Sequence, residues 1–169
     1  MTSVLKYFLS AFLFLCTGAG AQGVQWKTTD AALHQSLDGK PILVDIYTDW
    51  CHNCKIMDLT TYRNDSVKTY LEQNFHAIKI NGESRDSLSW FGEKYGYVKV
   101  YKTNALTPLL TNGQVAYPAT IIIPAKGEKQ IVLGGRNVRE MELLLKYYGS
   151  RANETMDFET FMKQFSSNW

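Results

Sequence analysis

Hydrophobic positions along the chain fall into short blocks whose spacing switches between strand and helix periods. Ile42-Leu43-Val44-Asp45-Ile46-Tyr47 is a near-continuous apolar run broken by one acid, the pattern of a central strand covered on both faces. Val24-Gln25-Trp26-Lys27 predicts a short first strand. His76-Ala77-Ile78-Lys79-Ile80 predicts another, and 119–123 and 129–133 predict two more joined by a turn over 124–127. Helical spacing appears between them. Leu33 and Leu37 predict a first helix over 29–37, stopped by Asp38-Gly39-Lys40-Pro41. A second helix opens at or beside Cys51 and breaks at Thr60–Asn64. A third, capped by Asp65 or Ser66, carries the stripe Val67, Tyr70, Leu71 and Phe75. Asn137-Val138-Arg139-Glu140 is a capping-box-like start, with Val138, Met141, Leu145 and Tyr148 behind it.

Two stretches lie outside this rhythm. Within residues 82–116, Trp90 to Val100 predicts a hairpin turning near Gly92 or else a short helix, and 104–112 a helix ended by Gly113, with Pro108 tolerated in its first turn. At the other end, 157–165 predicts a helix with Phe158, Phe161, Met162 and Phe165 on one side. The order is β-α-β-α-β, an inserted region, then β-β-α and a helical tail, which is an α/β fold.

The first 21 residues read differently. Lys6 is followed by an apolar run from Tyr7 to Cys16 and then by small residues ending Ala19-Gly20-Ala21. That is the form of a secretory signal peptide cleaved before Gln22, and the run is short of the ~20 residues a membrane span needs. The expectation is an exported protein, periplasmic or secreted, of bacterial source. Its domains are 22–149, with the insertion at 82–116, and an extension over 150–169.

The 169 residues, 45% hydrophobic and 20% charged with net charge +2, exclude a disordered chain, a polytopic membrane protein and an obvious nucleic-acid binder. Beyond Cys16 the only cysteines are Cys51 and Cys54, in Trp50-Cys51-His52-Asn53-Cys54-Lys55. Two thiols three apart on the first turn of a helix can close a disulfide. The outer one sits among free N–H groups at the positive end of the helix dipole, which favours thiolate. Cys51 is therefore the expected attacking thiol and Cys54 the resolving one. His52, if protonated, would strengthen the same effect.

The segment 44–55 resembles the active-site segment of the thioredoxin superfamily. The stretch from Trp50 to Glu83 is especially similar to exported thioredoxin-like proteins and to the C-terminal domain of the periplasmic thiol:disulfide interchange reductase. The resemblance spans roughly residues 24–149 and implies a thioredoxin fold: a central mixed sheet flanked by helices, with an insertion before the cis-proline strand and a helical C-terminal extension. Asp45, six residues before Cys51, stands in the place of the family's buried carboxylate, and Lys79 in that of its companion lysine. Tyr117-Pro118-Ala119-Thr120 resembles the cis-proline segment. Cys51, Cys54, Asp45 and Lys79 are the implied catalytic residues, and Trp50, His52, Tyr117 and Pro118 the implied substrate contacts. The dipeptide His52-Asn53 departs from thioredoxin's Gly-Pro, and with it the direction of electron flow is open.

The implied activity is thiol:disulfide exchange with protein partners, in the reducing direction, which in an exported protein requires an upstream electron donor such as a membrane thiol transporter. No cofactor, no metal and a monomer are expected. Two other readings compete: a binding module whose Cys51–Cys54 disulfide is structural, and a metallochaperone holding a soft ion such as Cu(I) on Cys51, Cys54 and His52.

Overall fold

A computed structural model describes residues 23–30 and 38–169. The expected signal peptide and most of the first helix, with His34, lie outside the described residues. Strand β1 (Ile42–Tyr47) is central, and helix α1 (His52–Thr60) follows it after a four-residue turn. Helix α2 (Asp65–Asn74) then leads into β2 (His76–Asn81). Beyond the insertion come β7 (Ala119–Ile123), β8 (Gln130–Leu133) and helix α4 (Val138–Gly149). The sheet order is β2-β1-β7-β8, with β1 parallel to β2 and antiparallel to β7. This is the mixed sheet flanked by helices that the family resemblance implies.

The period-two alternation of β1 divides the core in two. Ile42, Val44 and Ile46 face one side with Ile78, Ile80, Ala119 and Ile121. Leu43 faces the other, where Met57, Val67 and Leu71 of the first two helices and Phe75 just after them meet Met141 and Leu145 of α4. Asp45 shares the Leu43 face by the same alternation, so the strand's one acid is directed into the helix-covered core.

Several local expectations are corrected. Val24–Lys27 forms no strand: only Lys27 bridges to β2, opposite Ile78, while the Gln25 N–H goes to the Glu72 side chain at 2.9 Å. The cap of α2 is Asn64, whose side-chain oxygen accepts from the Ser66 and Val67 N–H groups, and neither Asp65 nor Ser66 takes that place. The insertion makes two hairpins where one was expected. In the first, β3 (Leu88–Trp90) pairs with β4 (Glu93–Tyr95); in the second, β5 (Tyr97–Val98) pairs with β6 (Thr103–Asn104). Helix α3 is cut to Leu106–Leu110 because Asn104 is spent in the second hairpin.

The tail packs by its aromatic residues. Helix α5 (Phe158–Gln164), capped by Asp157, sets Phe158 and Phe161 against Tyr147 at 5.1 and 5.2 Å, whereas Met162 points outward and is 47% exposed. One residue of helix is about 100° of rotation, which carries Met162 off the packed side. The residues after α5 fold back onto α4. Glu142, wholly buried, accepts from the Ser167 hydroxyl at 2.6 Å and from the Asn168 N–H at 3.2 Å, and Trp169 lies on Tyr70 at 5.3 Å. A buried carboxylate without its donors carries a large desolvation penalty. Removing residues 166–169 is therefore expected to lower unfolding free energy by about 2 kcal/mol in urea denaturation. An unchanged midpoint would mean that the tail does not clamp α4.

Candidate functional site

Cys51 and Cys54 are joined by a disulfide, with their Cα atoms 5.3 Å apart. Cys51 is the N-cap of α1, and its sulfur accepts from the Cys54 N–H at 3.1 Å. The bond therefore occupies the end of the helix where unpaired amides and the dipole make the field positive. Neither cysteine stands open. Cys51 is 4% and Cys54 3% exposed, so the expected contrast between an outer and an inner sulfur is absent from residue exposure in the oxidised state. What is exposed beside them is Trp50, at 66%, with His52 and Asn53 at the start of the helix.

Trp50 is held from two sides. Its indole N–H donates to Glu83 Oε2 at 3.0 Å, and its ring meets Tyr117 edge-on with centroids 5.9 Å apart. The Tyr117–Pro118 peptide bond is cis. The Pro118 carbonyl is not available to a partner chain, because it accepts from the Gly134 N–H at 2.8 Å. The Tyr117 N–H and C=O have no hydrogen-bond partner among the described residues. Gly82 fits under the Tyr117 ring: a Cβ at that position would lie 2.5 Å from it. The Gly82 carbonyl accepts from the Asn104 N–H and the Thr103 and Thr107 hydroxyls, so the insertion is fastened directly behind Tyr117.

Beneath the helix, register brings three polar residues into a row. Asp45 lies between Lys79 of β2 and Thr120 of β7 on the sheet face that α1 covers. Asp45 is 2% exposed, and Lys79 Nζ is 3.1 Å from its Oδ2. The same ammonium donates to Asp58 of α1 and sits 5.0 to 5.6 Å from the rings of Tyr47, Trp26 and Tyr62. Lys79 is thus caged between two carboxylates and three aromatic faces, unlike the solvated lysine common on strands. Trp26, Asp58, Tyr62 and Lys79 line an open cleft, which gives this ammonium an edge toward water.

Burial pushes the Asp45 carboxyl up to about 6, against the pull of the Lys79 charge, and the Asp58 carboxylate adds to the rise. Burial works to lower Lys79, but the Asp45 and Asp58 charges outweigh it and hold the ammonium above its ordinary range. The Tyr62 phenol is raised by burial first and by the Asp45 charge second. Asp45 Oδ1, the Tyr62 hydroxyl and the Thr120 hydroxyl are buried together beside this pair. Such a pocket disfavours a second charge and suits a carboxyl that exchanges a proton near neutrality.

All eight predicted site residues are described, and seven of them fall into three connected groups. The disulfide pair stands at the helix end, Trp50 against Tyr117–Pro118 at the mouth, and Asp45 with Lys79 below. The eighth, His52, opens α1 and is exposed. Sequence reading missed Asp58, Tyr62, Gly82 and Glu83. Asp58 had a signal, since it follows Cys54 by four residues and so shares its side of α1. Among the described residues no cluster of three or more His, Cys, Asp and Glu side chains gathers as metal ligands.

An acid whose folded value lies above its unfolded value of 3.8 binds its proton more tightly in the native state. Its contribution is complete at low pH and is lost as pH rises from about 4 through about 6. Holding a proton about two pH units more tightly corresponds to about 3 kcal/mol. Asp45→Asn is expected to stabilise the oxidised protein by up to that amount at pH 7 and by little at pH 4, measured by urea denaturation at both values. Equal effects at the two pH values would show that Asp45 titrates normally.

A family model described as thioredoxin-like matches residues 25–123. No curated protein matches the chain. Among solved structures, a thioredoxin-fold protein from Helicobacter pylori is similar at 14% identity, covering 75% of this chain and 80% of that one, with a TM-score of 0.56. A protein from Bacteroides thetaiotaomicron described as a candidate disulphide-isomerase is 21% identical over 82% of this chain and 100% of that one, with a TM-score of 0.54. The DsbD C-terminal domain of Neisseria meningitidis in its oxidised form is 19% identical over 74% and 97% of the two chains, with a TM-score of 0.45. At identities this low, the first two speak for the fold alone. With the disulfide at the helix start, the cis Tyr117–Pro118 bond and the match over 25–123, the chain belongs to the thioredoxin-like family.

Proposed function

We propose that the protein is an exported thiol:disulfide oxidoreductase that reduces disulfides in other proteins through Cys51 and Cys54. The observation that carries this reading is the placing of the Cys51–Cys54 bond at the N-terminus of α1, on the strand-helix unit that also buries Asp45 and Lys79. Helix-end amides stabilise a thiolate on Cys51, the form that attacks a disulfide. The basic, apolar and small-residue pattern of residues 1–21 supports export.

The chemistry proceeds in two displacements. The reduced Cys51 thiolate attacks one sulfur of the partner's disulfide, and the partner's other sulfur leaves as a thiolate and takes up a proton. Cys54, having given its proton to the Asp45 carboxylate, then attacks the Cys51 sulfur. The S–S bond to the partner breaks, the partner leaves with both sulfurs reduced, and the Cys51–Cys54 bond closes. Two electrons pass from the protein to its partner, so each turnover needs a dithiol donor, for which a membrane thiol protein is the chemical class that fits an exported enzyme.

Lys79 and Asp58 tune the acceptor. A lysine paired with Asp45 alone would hold that carboxylate firmly ionised; shared with Asp58, it leaves Asp45 able to take a proton near the operating pH. At the mouth, the unpaired N–H and C=O of Tyr117 would add a short strand contact to an extended partner chain, and Trp50 would cover its apolar side chains.

One observation favours a different reading. Both cysteines are nearly buried, as in a disulfide that only braces the fold. Trapping separates the two. Cys54→Ala leaves Cys51 able to attack and unable to be released, so mixed disulfides with partner proteins are expected to accumulate on non-reducing gels. A variant that captures no protein under native conditions would favour the structural disulfide.

The role of His52 is separable. A protonated imidazole beside Cys51 lowers the cost of the thiolate, so His52→Ala is expected to raise the midpoint of Cys51 thiolate formation, followed by ultraviolet absorbance of the reduced protein. Coincident midpoints in the two proteins would remove the imidazole from the mechanism.

A further inference from the structure

The second hairpin of the insertion joins a fixed base to an unpacked tip. At the base, Thr103 and Asn104 are buried, and the Asn104 side-chain NH2 donates to the carbonyls of Ser84, Asp86 and Tyr95. The turn itself is closed by two hydrogen bonds, from the Tyr101 N–H to the Val98 carbonyl at 3.1 Å and from the Lys102 N–H to the Lys99 carbonyl at 3.3 Å. Its outermost residues are nevertheless apolar: Val100 is 79% and Tyr101 75% exposed, the two most exposed large hydrophobic side chains among the described residues. Lys99 and Lys102 flank them, both exposed, and Lys102 takes a left-handed φ of 51°.

Val100 and Tyr101 are adjacent on one exposed turn, and a non-glycine residue at positive φ beside them adds to the conformational cost. The neighbouring hairpin repeats the arrangement, with Phe91 65% exposed at φ 50° and Lys94 exposed beyond it. Over residues 91–102 the charges are Lys94, Lys99 and Lys102 against Glu93. Each tip presents only one or two large apolar side chains, whereas a stable protein interface buries roughly 800 Å² on each partner. A lipid headgroup layer needs no such area: it accepts a few apolar side chains at its boundary, favours tyrosine there, and attracts flanking lysines when it is anionic.

We propose that the Lys99-Val100-Tyr101-Lys102 tip is a membrane-contact site, seating Val100 and Tyr101 in the headgroup region of an anionic lipid surface with the two lysines on its phosphates. The contact is weak and reversible, and it does not depend on the redox reading of Cys51 and Cys54.

Co-sedimentation of the full chain with vesicles tests this, using phosphatidylcholine alone and phosphatidylcholine with about a third phosphatidylglycerol. The protein is expected to bind the anionic vesicles about tenfold more tightly than the neutral ones, and less tightly as salt rises. The Val100→Asp/Tyr101→Asp and Lys99→Glu/Lys102→Glu variants, at exposed positions, are each expected to lose about tenfold of that binding. Because every variant keeps the same N-terminal segment, binding that comes from residues 1–21 would be equal in all of them, and that equality overturns the proposal. Wild-type chain that ignores anionic vesicles while the tip captures an acidic protein overturns it as well, and assigns the tip to a protein partner.

Discussion

A carboxylate placed on the central strand of a sheet, under a helix and away from water, is the constraint around which this molecule is arranged. Asp45 is 2% exposed, and leaving it there as an isolated charge would be prohibitive. Lys79 offsets part of that cost from the next strand, and the offset depends on register: a slip of one residue between β1 and β2 would turn the ammonium to the opposite face. Asp58 then takes up the rest of the lysine's charge from above, and three aromatic rings close around it. Strand pairing, the seating of α1 and the packing of Trp26 are all tied to one buried ionic group.

The same arrangement places the disulfide. Because α1 must lie over Asp45 for Asp58 to reach Lys79, its first turn is fixed at the C-terminal end of β1, and the Cys51–Cys54 bond is fixed with it. The disulfide and the buried carboxylate are thereby carried on one strand–helix unit. The mouth is built separately. Gly82, fastened by three donors from the insertion, leaves room for the Tyr117 ring, and Tyr117 in turn sets the edge against which Trp50 rests. The insertion therefore supports the site's wall while its hairpin tips reach into solvent.

The tail solves a different problem. Helix α4 presents Glu142 among Met141, Leu144 and Leu145, a charge on a side that is otherwise apolar. The returning residues Ser167 and Asn168 supply its donors, and the aromatic contacts of Phe158, Phe161 and Trp169 cover the surrounding surface. Stability of the helix layer and retention of the tail are thus linked through one carboxylate remote from the disulfide.

Local signals carried much of this. The apolar run 42–47 with its single acid, the spacing of Cys51 and Cys54 before a helix, and the alternation of strand and helix periods identified the sheet's centre, the disulfide and the order of elements over 42–81 and 119–149, because each depends only on residues close in the chain. Even the Asp58 contact was within reach, four residues beyond Cys54 on one helix. The lysine cage, the near burial of both cysteines, the second hairpin and the docking of the tail on Glu142 were decided by tertiary structure. The lysine cage and the docked tail join groups more than twenty residues apart, whose meeting is set by strand register and helix packing, and neither quantity has a local signature that periodicity or capping could reveal.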